Sequence, residues 1–257
     1  MAKFKQAYLG LFLLIPVTFT FQSCDSILPF IEALLQPVEQ GLSKEQIVKG
    51  LKEALKVGTD TAVTRLTRKN GFYGDKLLKI GLPKEANLIV ENIAKIPLIG
   101  QAAIDKTTEL INRAAEDAAT EAKPIFINAI TNMTIADGFA LLHGEDSAAT
   151  AYLRKNTYQQ LFNAFKPKIE NSLSKKIVGN VSAESSYSTL IDNYNKVAKI
   201  PLSGLTEVKT NTLSSYATNM ALKGLFVKVL EEEKDIRHDV KARVSDLLKQ
   251  VFGELDK

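Results

Sequence analysis

Apolar residues recur along most of this chain at three- and four-residue intervals, and almost nowhere at every second position. Behind Ser43, the set Ile47, Leu51, Ala54, Leu55, Gly58 and Ala62 predicts a helix from about 44 to 68. Ser43-Lys44-Glu45-Gln46 supplies its capping box: Ser43 accepts from the Gln46 backbone and the Gln46 side chain reaches back. Asn70-Gly71 ends it. GFYGDKLLKIGLP then reads as an irregular bridge. Pro83 suits the first turn of a following helix, whose apolar set is Leu88, Ile89, Ile93 and Ile96, and Pro97 and Gly100 stop that helix.

From about Gln101 a further helix carries Leu110, Ala114, Ala115, Ala118, Ala119 and Ala122 on one face. Side chains this small let a neighbouring helix approach toward the lower end of the usual spacing of about 8–10 Å. Pro124 lacks a backbone donor and kinks or restarts the helix. Phe126, Ala129, Ile130 and Met133 continue the buried stripe. Thr134 with Asp137 caps a short helix ended by Gly144. Glu145-Asp146-Ser147 opens the next, with its acids at the positive end of the dipole. Tyr152, Leu153, Leu161, Phe162 and Phe165 give that helix a bulky core face, and Pro167 repeats the kink.

After Leu173 the chain loosens into SKKIVGNVSAESS, a loop or weak boundary. Tyr187 to Ile200 and Leu213 to His238 read as helices. Asp239 is the expected cap of a final helix with Val244, Leu247, Leu248 and Val251 on one side. AKIPLIG at 94–100 and AKIPLSG at 198–204 repeat a phrase without matching flanks. This favours a shared way of ending a helix and burying the corner over an internal duplication. The fold class is all-α, a single bundle-like domain with kinked and short helices over residues 42–253, followed by a tail at 254–257.

The first residues follow other rules. MAKFKQAY is basic, Leu9 to Phe21 is an apolar run of thirteen residues, and Gln22-Ser23-Cys24 follows. Thirteen helical residues reach only about 20 Å, short of the roughly 30 Å of a bilayer core. The pattern is that of a secretory signal over residues 1–23. The only cysteine, Cys24, stands where a lipobox places the residue that is acylated and becomes the new N-terminus, although Phe21 and Gln22 depart from the usual Leu-Ala. Residues 24–41 then form a lipidated segment or tether. Two or three acyl chains anchor firmly, at about 0.8 kcal/mol per buried methylene. The expected location is the cell envelope, lipid-anchored and periplasmic or surface-facing, with the outer membrane favoured.

Composition narrows the remaining classes. Hydrophobic residues at 45% and charged residues at 24% are ordinary for a globular domain. The net charge is +4, falling to +2 once Lys3 and Lys5 leave with the signal, which does not suggest a nucleic-acid partner. There is no Trp, and a lone cysteine makes no disulfide framework.

Three phrases together resemble an uncharacterised family of exported bacterial proteins, domain of unknown function 4197. They are GLKEALKVGTDTAV, NRAAEDAATEAKPIF continued by MTIADGFALLHGEDSAATAYLR, and EEEKDIRHDVKARVSDLLKQVFG, within residues 42–253. The resemblance implies a single all-α envelope domain, and it brings no established activity, substrate, cofactor or functional residue to carry over. Relatives often place a proline after the aspartate read here as a cap, where this chain has Val240.

Two constellations carry candidate chemistry. Near the end of the long helix, Glu232, Asp235, Arg237 and His238 form a charged candidate surface. Asp235 and His238 are spaced as in the Glu-x-x-His of di-iron bundles, but those bundles use the pair twice. A solvated, salt-bridged helix end, with Glu233 and Arg237 at i,i+4, explains them better. The second is the turn holding His143, Glu145 and Asp146 beside Ser147, the residue types of a hydrolytic triad without a Gly-x-Ser-x-Gly elbow. No catalytic, metal or cofactor site is assigned. The leading expectation is a protein-interaction or scaffolding module with an envelope protein as partner. A binder of a lipid or small apolar ligand between helices is the alternative, and a hydrolase using His143 the outside reading.

Overall fold

The computed structural model describes residues 42–86, 100–178, 181–202, 207 and 212–256. The expected signal, Cys24, the expected tether and the helix expected after Pro83, except a 3-10 turn at Lys84–Ala86, lie outside the described residues.

Helix α1, Lys44–Thr67, opens with the expected capping box, Ser43 Oγ accepting from the Gln46 amide and Gln46 Oε1 from the Ser43 amide. Asn70 takes a left-handed φ of 70° just beyond it, a conformation asparagine tolerates better than most residues. The bridge that follows is irregular yet buried: Phe72 and Ile80 are fully enclosed. Its backbone groups therefore need partners. Asn112 supplies one pair, accepting from the Ile80 amide at 2.9 Å and donating to its carbonyl at 2.8 Å. Glu116 supplies another, accepting from the amides of Phe72 and Tyr73 at 3.2 and 3.3 Å.

Asn112 and Glu116 belong to α2, Gly100–Ala118, which carries the alanine face. A 3-10 turn, Ala119–Glu121, joins it to α3, Ala122–Thr131, so Pro124 sits in the first turn of a restarted helix. Helix α4, Ile135–Leu142, has the predicted Thr134/Asp137 capping box. Helix α5, Ala148–Leu173, carries Pro167 within it and packs against α2, α3 and α7. The predicted loop after Leu173 contains a short antiparallel pairing, β1 (Lys176–Val178) with β2 (Val181–Ser182), the one departure from helix and turn among the described residues. Helix α6, Ala183–Ala198, starts four residues before the expected Tyr187.

Helix α7 spans Leu213–His238 as predicted. Asp239 does not cap the final helix. It accepts from the Lys241 amide and starts a 3-10 turn, Val240–Ala242. The cap of α8, Asp246–Gly253, is Ser245, whose hydroxyl also bonds Glu53 of α1. Val244 therefore lies outside α8 and is exposed, while Leu248 and Val251 are buried. Ile200 and Leu202 are exposed as well, so the second Lys-Ile-Pro-Leu phrase does not bury its corner. Most of the first copy lies outside the described residues.

The core is all-α: α7 packs on both α1 and α5, with α2, α3, α4 and α8 packed around them. Ala114, Ala115, Ala118, Ala119 and Ala122 are buried, and α2 packs against α5. Gly50 is where α8 crosses α1: an added Cβ would stand 2.5 Å from a Val251 methyl. Gly138 plays the same part where α4 crosses α1, 2.9 Å from a Val48 methyl.

Candidate functional site

The two charged constellations, far apart in sequence, meet at one junction. The C-terminal end of α7 lies against the turn between α4 and α5. At the start of α5, the amides of Ala149 and Thr150 have no carbonyl of their own helix to reach. Ser147 precedes the helix without a side-chain capping bond. The acceptor comes from α7 instead. Glu233 accepts from the Ala149 amide at 3.0 Å, the Thr150 amide at 2.7 Å and the Thr150 hydroxyl at 2.6 Å. A carboxylate at a helix N-terminus is also favoured by the dipole.

Arg237, one turn along α7, completes the arrangement. Its guanidinium donates to Glu233 Oε1 at 3.1 and 3.0 Å, and to the carbonyls of Leu142 at 2.9 Å and Leu141 at 2.8 Å. Those carbonyls lie in the last turn of α4, where a cation suits the dipole. One ion pair thus caps the end of one helix and the start of the next. The side chains of Glu233 and Arg237 are only 6% and 4% exposed, so the solvated helix end read from the sequence is in fact a buried pair.

The neighbours differ. His238 Nε2 lies 2.8 Å from Asp146 Oδ1, an exposed link across the same junction. Asp235 and Glu145 are exposed. His143 ends α4, its Nδ1 3.0 Å from the Phe139 carbonyl and its ring tilted on Phe139 at 4.5 Å. No hydroxyl or carboxylate bonds that imidazole among the described residues. Glu232 points away toward α1, where its Oε1 lies against Arg65 Nη1, yet no donor is aligned to hydrogen-bond it. Burial pushes its carboxyl above the ordinary value, with Arg65 opposing.

Beyond the junction, Arg243 has a side chain 1% exposed and forms a paired contact with Asp256, while also donating to the carbonyls of Ile236 and Arg237. This guanidinium holds the Asp256 carboxyl below its ordinary value. The tail at 254–256 is therefore tied to the end of α7. Neither Glu233's capping role nor this clasp was read from the sequence. Glu145-Asp146-Ser147 reads as a sufficient local start for α5, so the chain carried no signal that the acceptor would come from α7.

Space inside this region is small. The gap bounded by Leu55, Thr59, Ala149, Glu233 and Arg237 among others amounts to about 20 Å³, room for one water. On the outside, α1 borders two open concavities of about 400 and 360 Å³, the first lined by Val48, Lys49, Lys52 and Ile135, the second by Val57, Lys123 and Ile127, with Lys56 in both.

Fold and junction together define an all-α domain whose helix ends are joined by buried charge. The chain belongs to the family described as protein of unknown function (DUF4197), which matches residues 41–253. No curated protein and no solved structure matches it.

Proposed function

We propose that this chain is an exported, lipid-anchored cell-envelope protein, acylated at Cys24, whose helical domain binds a partner protein rather than turning over a substrate. The basic start, the thirteen-residue apolar run and a lone cysteine directly after it support the anchor. The observation that carries the binding reading is the contrast between inside and outside. An enclosed ligand needs a cavity of about 300 Å³ or more, whereas the gap beside Glu233 and Arg237 is about 20 Å³. The larger concavities are open and lie along α1, beside exposed Ile127 and Ile135. Such space suits a surface partner. His143, bonded to a backbone carbonyl, gives hydrolysis no nucleophile or orienting acid among the described residues.

The test has two arms. Mass spectrometry of the mature chain reports acylation of Cys24, and an unmodified thiol or an intact Met1 terminus refutes the anchor. Crosslinking in native membranes, with Cys24→Ser as the delocalised control, reports the partner. Absence of any protein adduct from any exposed position of the domain refutes the binding reading.

A further inference from the structure

The surface of α1 carries one more inference, which rests on the protein-binding reading. Lys56 borders both concavities, so they adjoin one another beside the helix from Glu45 to Asp60, and together they make up a trough that Lys52 crosses to reach the Thr131 carbonyl. Fifteen residues of rise make it about 22 Å long, four helical turns. Val48 and Val57 from α1, Ile127 from α3 and Ile135 from α4 give it apolar character, and the two isoleucines are 40% and 48% exposed.

Its polar groups are unequally matched. Asp60 is ion-paired with Lys123, Glu53 accepts from the Ser245 hydroxyl, which does not neutralise it, and Glu45 is exposed at the opposite end from Asp60. Three further lysines therefore face two carboxylates. Lys52 donates to the Thr131 carbonyl at 2.9 Å. Among the described residues, Lys49, Lys52 and Lys56 have no carboxylate at ion-pair distance. Their spacing sets them along one side of α1 over two turns. At the Glu45 end, Lys44 stands over the exposed Phe139 ring, 5.7 Å from its centroid.

We infer that this trough receives an amphipathic helix of a partner protein, about four turns long, apolar on the face it buries and acidic on the side that meets Lys49, Lys52 and Lys56. The acid follows from charge complementarity, which sets register and suppresses wrong partners. The helix follows from the walls. They are themselves helices with their backbone groups already bonded, so an extended peptide would find no strand edge to pair with, whereas a helix brings its own hydrogen bonds. Concavity separates this partner from a bilayer, because a flat lipid surface touches the rims of a trough and leaves the isoleucines uncovered.

The test is site-specific photocrosslinking in the full chain in its native membranes, with a benzophenone side chain at position 127 or 135 and a control at exposed Leu77, outside the trough. The expected adduct is a polypeptide whose attached segment is helical, amphipathic and acidic. Its yield falls at least about fivefold in Lys49→Glu/Lys56→Glu, two reversed exposed pairs. Lys52 is left in place because it holds the Thr131 carbonyl, and circular dichroism checks that the variant stays folded. Adducts only to phospholipid, a neutral or basic attached segment, or a yield unchanged by the charge reversal would each overturn the assignment. Protein adducts from Leu77 without any from the trough would also overturn it, while leaving the binding reading intact. No adducts from either place would remove both.

Discussion

Truncating Glu233 to alanine tests the junction most directly. The change leaves Arg237 with a side chain 4% exposed and no carboxylate, although the Leu141 and Leu142 carbonyls remain. It also strands the Ala149 and Thr150 amides at the start of α5. Breaking a buried pair from one side costs about 3–5 kcal/mol. Orphaning a buried donor costs about 1–3 kcal/mol, and the two costs overlap because the same carboxylate serves both. A total of about 4 kcal/mol is a large share of a domain stability of roughly 5–15 kcal/mol. With a urea slope of about 2–3 kcal/mol per molar, the midpoint falls by about 1.3–2 M. The double variant Glu233→Leu/Arg237→Met separates the contributions. Removing both charges restores what was lost to the unpaired guanidinium, while the orphaned amides of α5 and the Leu141 and Leu142 carbonyls, now without their donor, each keep about 1–3 kcal/mol of loss. A single-variant shift below about 0.5 M at unchanged slope would refute this account of the junction.

Glu232→Gln behaves oppositely to its neighbour. A carboxyl raised by burial contributes most below its unfolded value near 4.5 and loses that contribution as pH rises through the folded value. At pH 7 the charged form is therefore a burden, and its half-exposed partner Arg65 returns only about 0–1 kcal/mol. Urea midpoints for the variant should equal or exceed the parent at pH 7 and vary less from pH 4 to 7. A loss above about 1 kcal/mol at pH 7 would contradict this. Asp256 has the reverse sign: its lowered value adds stability present above 3.8 and lost as pH falls through the folded value. Asp256→Asn should lower the melting temperature at neutral pH and flatten the acid limb below 3.8. An acid limb identical to the parent's would place the dependence on other carboxylates. Gly138→Ala drives a methyl to 2.9 Å from Val48 and should cost about 1–3 kcal/mol in chemical unfolding. A neutral result would mean α4 can slide along α1 freely.

Elements whose signals lie within a few residues were readable from the chain alone. The Ser43/Gln46 and Thr134/Asp137 boxes closed as expected, and α7 runs over the predicted residues, because each depends on local spacing. Features decided by distant partners were not. Glu233 and Arg237 stand four apart on a charged helix end, and nothing in EEEKDIRHD reveals that α5 arrives without a cap of its own. Asp239 and Ser245 are both competent caps. Asp239 caps a 3-10 turn and Ser245, bonded also to Glu53 from α1, caps α8. The trough was equally hidden: Lys49, Lys52 and Lys56 read as a wet helix face until α3 and α4 supply its other wall.

The Glu53–Ser245 bond spans 192 positions, and the crossing of α8 over Gly50 joins the opening helix to the closing one. Pairings this distant in sequence form late in folding, because the entropy of closing the intervening chain is spent before they contribute. Until α8 docks, the notch at Gly50 of α1 has no Val251 methyl to fill it.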